Sequence, residues 1–123
     1  HPEPRTFLTV NAAVAGTREE AQRLALGQAQ MMLALRSGAP LHPQPLVEEA
    51  EAQRVPEQDK LVEAMMRRWV VDEPVAARAR IVALATEFGV DEVMVHPVAS
   101  AFAGTPADRS PAREETLRWL AEA

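Results

Sequence analysis

The run TFLTVNAAV at residues 6–14 limits the fold more than any other part of the chain. It is rich in β-branched and apolar residues, which marks a strand. Alternation puts Leu8, Val10, Ala12 and Val14 on one face and Thr9, Asn11 and Ala13 on the other. Neither face reads as an ordinary solvent face. Burial on both faces is the habit of parallel strands covered by helices. Ala15-Gly16 breaks the strand, and Thr17-Arg18-Glu19-Glu20 matches a capping box, with Thr17 as cap and Glu20 reaching back. A helix is predicted from there to Leu35 or Arg36, with Ala21, Leu24, Ala25, Met31, Met32 and Leu35 as its apolar stripe and Gly38 as its stop. Strand, tight turn and long helix make a β-α unit over residues 6–38.

Residues 39–56 form a Pro-rich linker, with Pro40, Pro43, Pro45 and an acidic run at 48–51. Proline lacks a backbone donor and restricts its neighbour, so most of this stretch is expected as loop, with a brief helix over 46–54. A connection of this length is functional or poorly ordered. Residues 57–71 are predicted as a second helix opened by Pro56, with Leu61, Val62, Met65, Met66, Trp69 and Val70 as its stripe. Asp72-Glu73 interrupts, and Pro74 suits the first position of a third helix. That helix carries Ala77, Ile81, Leu84, Ala85 and Phe88 on one face and ends at Gly89. Residues 90–95 (VDEVMV) read as a second strand. His96-Pro97 follows, then a loop of small residues over 98–109. Ser110-Pro111 reads as cap and first turn of a last helix over 111–121, with Leu117 and Leu120 inward.

Helix, glycine and short apolar strand is the order that precedes a parallel strand in an α/β fold. Two strands and four helices, however, do not complete a parallel sheet, and its edges invite pairing. The 123 residues fall well short of the roughly 250 of a closed (β/α)8 barrel. The expectation is one incomplete α/β domain over residues 1–123: the β-α unit, the linker, a helix-helix-strand unit over 57–97, and a loop with terminal helix over 98–123. Self-association or strands of a longer parent would complete the sheet. The net charge of −5 and the scattering of arginines among glutamates argue against a nucleic-acid groove, which wants a basic stripe. With no cysteine, disulfide scaffolds, thiolate zinc sites and thiol chemistry are excluded. No run reaches the about 18 apolar residues of a membrane span. A cytoplasmic setting is expected.

Two segments carry a family resemblance. The first is TVNAAVAGTREEA at residues 9–21. The second is VVDEPVAARAR at 70–80, running on through LATEFGVDEVMV at 84–95. Their order, their spacing and the Pro-rich insertion between them resemble the C-terminal portion of the bacterial luciferase-like, flavin-dependent monooxygenases. In that family a late strand reads like V-N-V-V-A-A-D-T before E-E-A, and the final crossover reads like V-G-S/T-P-E-x-V and G-A/V-D-E-x-M-V. The resemblance covers most of residues 6–97. It implies a partial TIM barrel whose last two strands are residues 6–14 and 90–95, lying parallel and adjacent. It also implies a parent oxidoreductase that uses FMN or a related flavin on a small organic substrate. The family's phosphate grip and most of its proton-transfer residues lie on earlier strands, so the chain alone is expected to bind no flavin and to carry no catalytic residue. Its partner would be a second copy or the N-terminal part of the barrel. Asp72-Glu73 stands where the family has a glycine and a small cap, and the stretch after Pro97 is longer than the family loop.

The candidate cofactor-binding residues are His96 and Asn11. Strand ends carry the chemistry of a barrel, and an imidazole there could accept a proton or hydrogen-bond a flavin; as a rim residue it would bond a loop carbonyl instead. Asn11 lies mid-strand, where a buried amide must find partners. His1, His42 and His96 lack the spacing of a metal site. Ser100 lacks the G-x-S-x-G setting of a nucleophile. Met31-Met32, Met65-Met66 and Trp69 are expected to fill the core or an interface.

Overall fold

A computed structural model describes residues 6–40 and 42–122. Its elements in chain order are β1 (Phe7–Val14), α1 (Arg18–Arg36), α2 (Val47–Ala52), a 3-10 turn (Pro56–Gln58), α3 (Asp59–Arg68), β2 (Val70–Asp72), α4 (Pro74–Phe88), β3 (Glu92–Pro97) and α5 (Pro111–Glu122). The fold is α/β: a three-stranded parallel sheet, flanked by helices and unclosed, in a partial-barrel-like arrangement.

The caps explain where the helices begin. Thr17 Oγ1 accepts the Glu20 N–H at 3.2 Å, which starts α1 at the predicted point. Glu73, and not Asp72, caps α4: its carboxylate accepts the N–H groups of Ala76 at 2.6 Å and Val75 at 3.1 Å. Gly89 ends α4 with φ 64°, a left-handed conformation that costs glycine least.

Several expectations are corrected. The helix predicted over 57–71 is shorter. After the 3-10 turn, α3 stops at Arg68, Trp69 is extended, and Val70–Asp72 form a third strand. Residues 62, 65, 66 and 69 keep helical spacing up to the break, and three strand residues are too few to show alternation. The strand expected over 90–95 occupies Glu92–Pro97, so His96 lies inside it. Leu35, Leu61, Phe88 and Leu117, placed in apolar stripes, are all exposed. In α5, Thr116 takes the inward position expected of Leu117 and is fully buried, and Leu120 is buried beside it as expected.

The expected neighbours β1 and β3 pair in parallel from Phe7↔Glu92 to Ala12↔Pro97. β2 pairs with the other side of β1, with Ala12↔Val70 to Val14↔Asp72 in register. The sheet order is therefore β2-β1-β3. Consecutive winding would have put β2 in the middle. The crossover through α4 runs back past β1, and right-handed connections in opposite lateral directions put their helices on opposite faces. The core divides accordingly. Ala13, Ala15 and Val71 pack with Ala21, Leu24 and Ala25 of α1 and with α3. Val10, Ala12, Val14 and Val70 pack with Ala77 of α4 and Leu120 of α5. Alanine supplies much of both layers, so the helices approach closely. Thr116 Oγ1 accepts the Val14 N–H at 3.1 Å and donates to the Ala112 carbonyl at 3.1 Å, which satisfies a strand amide.

Candidate functional site

Parallel register fixes which side chains share a face. Leu8, Val10, Ala12 and their β3 partners lie under α4 and α5. Phe7, Thr9 and Asn11 lie on the opposite face, beside Glu92, Met94 and His96. That face is covered by α1 only toward the C-terminal end, at Ala13. The rest is open: Phe7 is 50% and Met94 54% exposed.

The structure brings both predicted cofactor residues together there. Asn11 and His96 are register partners, and His96 Nδ1 lies 3.0 Å from Asn11 Oδ1. A carbonyl oxygen only accepts, so Nδ1 carries the proton and donates. Nε2 is not used in this contact. Asn11 is half-buried and His96 exposed. The pair therefore presents an oriented imidazole that can accept a proton or hydrogen bond, next to an amide that can donate. Thr9, Met94 and Phe7, which sequence reasoning did not single out, frame it with a hydroxyl and two apolar groups. Their signal is alternation along β1 and β3, readable only once the register is known.

The segment leaving this site is held firmly. The Val98 N–H donates to the Ala12 carbonyl at 2.9 Å, and the Ser100 N–H to the Leu24 carbonyl at 2.9 Å. Gln44 Nε2 donates to Ser100 Oγ at 3.0 Å and to the Val98 carbonyl at 3.3 Å. Arg113 donates to Gln44 Oε1 at 2.9 Å and to the Ala99 carbonyl at 3.3 Å. Ser100 is thus a buried packing residue. The linker that supplies Gln44 is tied to the exit of β3, not a free loop.

The remaining candidates lie elsewhere. His42 is exposed and lines a 330 Å³ pocket with Gln30, Met31, Pro43 and Gln53. His1 lies outside the described residues. Among the described residues, no group of three His, Cys, Asp or Glu side chains is placed to hold a metal. Met65 is buried in the core, Met66 packs against it, and Trp69 closes the same cluster.

A groove of 620 Å³ runs between α1 and α3, over Leu26, Val62, Met66 and Val71. Two ion pairs lie along it. Arg23 hydrogen-bonds Glu51 at 3.0 Å through Nε and Nη2, which holds that carboxyl below the usual carboxylate range. Arg54 does the same to Asp59. Neither cavity includes Asn11 or His96.

Comparison with solved structures places the chain beside "Crystal Structure of apo-MsnO8", with a TM-score of 0.75 and 26% identity over 98% of this chain. The match covers 35% of that chain, so the present chain spans about a third of its length. This is distant structural homology. No protein-family profile and no curated protein matches. Among the described residues, no helix is long and apolar enough to cross a membrane.

Proposed function

We propose that the chain is part of a luciferase-like, flavin-dependent oxidoreductase that acts on a small organic substrate. The likeness to MsnO8 along nearly the whole chain carries this reading. The paired Asn11 and His96 on an open parallel sheet face support it. An amide and an imidazole suit the polar edge of an isoalloxazine, and Phe7 and Met94 suit its apolar face. Among Phe7, Thr9, Asn11, Glu92, Met94 and His96 there is no cation to grip a phosphate. The fit is to one edge of the group and not to the whole, so no chemical step is assigned to these residues. In this reading the N-terminal strands of the barrel supply the grip and cover the open face, the chain alone retains no flavin, and the setting is cytoplasmic.

The test compares the chain alone with the chain fused behind the earlier strands of a flavin-binding parallel barrel. Retention of reduced FMN through desalting is read by absorbance and fluorescence. The fused chain should retain flavin, and Asn11→Leu and His96→Leu should each weaken it about tenfold, the loss of one good hydrogen bond. A fusion that folds and holds no flavin, or variants that bind as tightly as the parent, would overturn the reading. A second reading, a self-associating α/β interaction module without chemistry, draws on the exposed Phe7 and Met94. A dimer that buries that face and ignores flavin would favour it.

A further inference from the structure

β3 delivers His96 with few bonds of its own to hold it in place. His96 Nδ1 meets Asn11 Oδ1 at 3.0 Å, a single exposed contact between two strands. Such a contact keeps its geometry only as well as the strands keep theirs. Pro97 has no N–H, so the next backbone donor is Val98, whose N–H reaches the Ala12 carbonyl at 2.9 Å. That rung lies directly beyond the Asn11–His96 pair in the register. A second grip on Val98 comes from outside the sheet, from the Pro-rich linker. Gln44 Nε2 donates to the Val98 carbonyl at 3.3 Å and to Ser100 Oγ at 3.0 Å. Arg113 Nη2 donates to Gln44 Oε1 at 2.9 Å, which fixes the orientation of the amide, since a guanidinium only donates. Pro45 restricts the backbone of Gln44, and Gly27 leaves Pro45 and Ser100 room against α1.

We propose that Gln44 is a positioning residue for His96. Gln44 holds Val98, Val98 holds the end of β3 against Ala12, and the end of β3 sets the distance from the imidazole to Asn11. The linker's other ties to this segment lie farther from β3: the Val47 N–H donates to the Ala101 carbonyl at 2.9 Å, and the Glu48 carboxylate accepts the Ala103 N–H at 2.9 Å. Gln44 is the linker side chain that reaches back to Val98. Which ring nitrogen of a histidine keeps the proton is set by the hydrogen bond the ring makes. Gln44 therefore acts on the tautomer of His96 without touching the ring. The use made of the pair rests on the flavin reading above; its geometry does not.

The tautomer is the readout. Nitrogen NMR of histidine-labelled protein, taken above the ordinary imidazole range so that the ring is neutral, separates a protonated ring nitrogen from an unprotonated one. His96→Gln assigns the signal among the three histidines. In the unsubstituted chain His96 should hold its proton on Nδ1. Gln44→Leu, which keeps bulk and removes the bonds, should lower the ratio of Nδ1–H to Nε2–H forms about fivefold, the worth of one neutral hydrogen bond. Arg113→Met, which keeps Gln44 and frees it, should lower the ratio about twofold and serves if Gln44→Leu does not fold. Gln30→Leu is the control. It breaks a 2.8 Å bond to the Ala50 carbonyl, loosening the same linker away from β3, and should leave the ratio unchanged. A ring protonated on Nε2 in the unsubstituted chain, a ratio unmoved in whichever of the two variants folds, or a ratio lowered equally by Gln30→Leu would overturn the proposal. In the fused barrel, Gln44→Leu should also weaken FMN retention about fivefold. A tautomer shift without that loss would sustain the positioning and count against the flavin reading alone.

Discussion

Gly27 sits inside α1, where helix propensity and packing pull in opposite directions. Alanine is favoured over glycine in a helix interior by about 1 kcal/mol, so Gly27→Ala would stabilise an isolated helix. In the fold, a methyl there would lie 2.5 Å from Ser100 Oγ, 3.0 Å from the Pro45 carbonyl oxygen and 3.2 Å from Pro45 Cγ. The first distance is too short for any contact, and the second is backbone. Ser100 is 2% exposed and accepts from Gln44, so turning it away breaks that bond. Overpacking of this kind costs about 1–3 kcal/mol, and the lost hydrogen bond about 1 kcal/mol. Packing wins: with the helix gain subtracted, Gly27→Ala should destabilise by about 1–3 kcal/mol. Urea unfolding should show a lower midpoint at constant slope. Ser100→Ala in the Gly27→Ala background removes the shortest contact and should recover about 1 kcal/mol, a coupling that a double-mutant cycle isolates. A Gly27→Ala protein that is more stable, or no coupling to Ser100, would refute the close approach of α1 to the 98–101 segment.

Thr116→Val keeps the shape of a fully buried side chain but strands the Val14 N–H. It should cost about 1–3 kcal/mol, and Thr116→Ser, which keeps the hydroxyl, should cost less in the same urea assay. The Arg23–Glu51 and Arg54–Asp59 pairs give a pH prediction. Both carboxyls are held below their usual values by hydrogen bonds to the guanidinium groups. Their contribution is therefore full above the ordinary carboxylate range and is lost as pH falls through the lowered native values. Glu51→Gln should flatten part of the acid limb of a urea-midpoint profile. Because both pairs are partly exposed, about 1 M salt should remove most of the difference.

Much of the fold was legible because it rests on local signals. The Thr17 cap of α1, the glycine stop at Gly89 and the two-sided apolar pattern of β1 are each written within a few residues, although of the capping box only the Thr17 half forms. β2 was not legible. Val70 and Val71 continue the stripe of Met65, Met66 and Trp69, and only the tertiary pairing with Ala12 and Ala13 makes them a strand. The exposure of Leu35, Phe88 and Leu117 was also hidden, because a stripe shows which residues could be buried and not how far the partner layer extends. Asn11 and His96 could each be singled out by residue type and place. Their hydrogen bond depends on a pairing across 85 positions, which no local pattern states.

The strand order also explains why the candidate site lies on a sheet face and not at the strand ends. Open parallel sheets ordinarily bind ligands beyond the carboxyl ends of the strands, where neighbouring connections leave to opposite faces. Here the condition is met on both sides of β1, since α1 leaves to one face and α4 and α5 cover the other; the position beside Asn11 and His96 is the one between β1 and β3. The chain fills it with its own backbone. Val98 bonds Ala12, Ser100 bonds Leu24, and Gln44 and Arg113 lock the segment from outside. Val98, Ala99 and Ser100 are all buried. With that crevice closed, the open polar surface of β1 and β3 begins one register step earlier, at Asn11 and His96. In the proposed reading a ligand at this face would meet the sheet from the side, and the strands proposed to cover Phe7 and Met94 would supply the other wall.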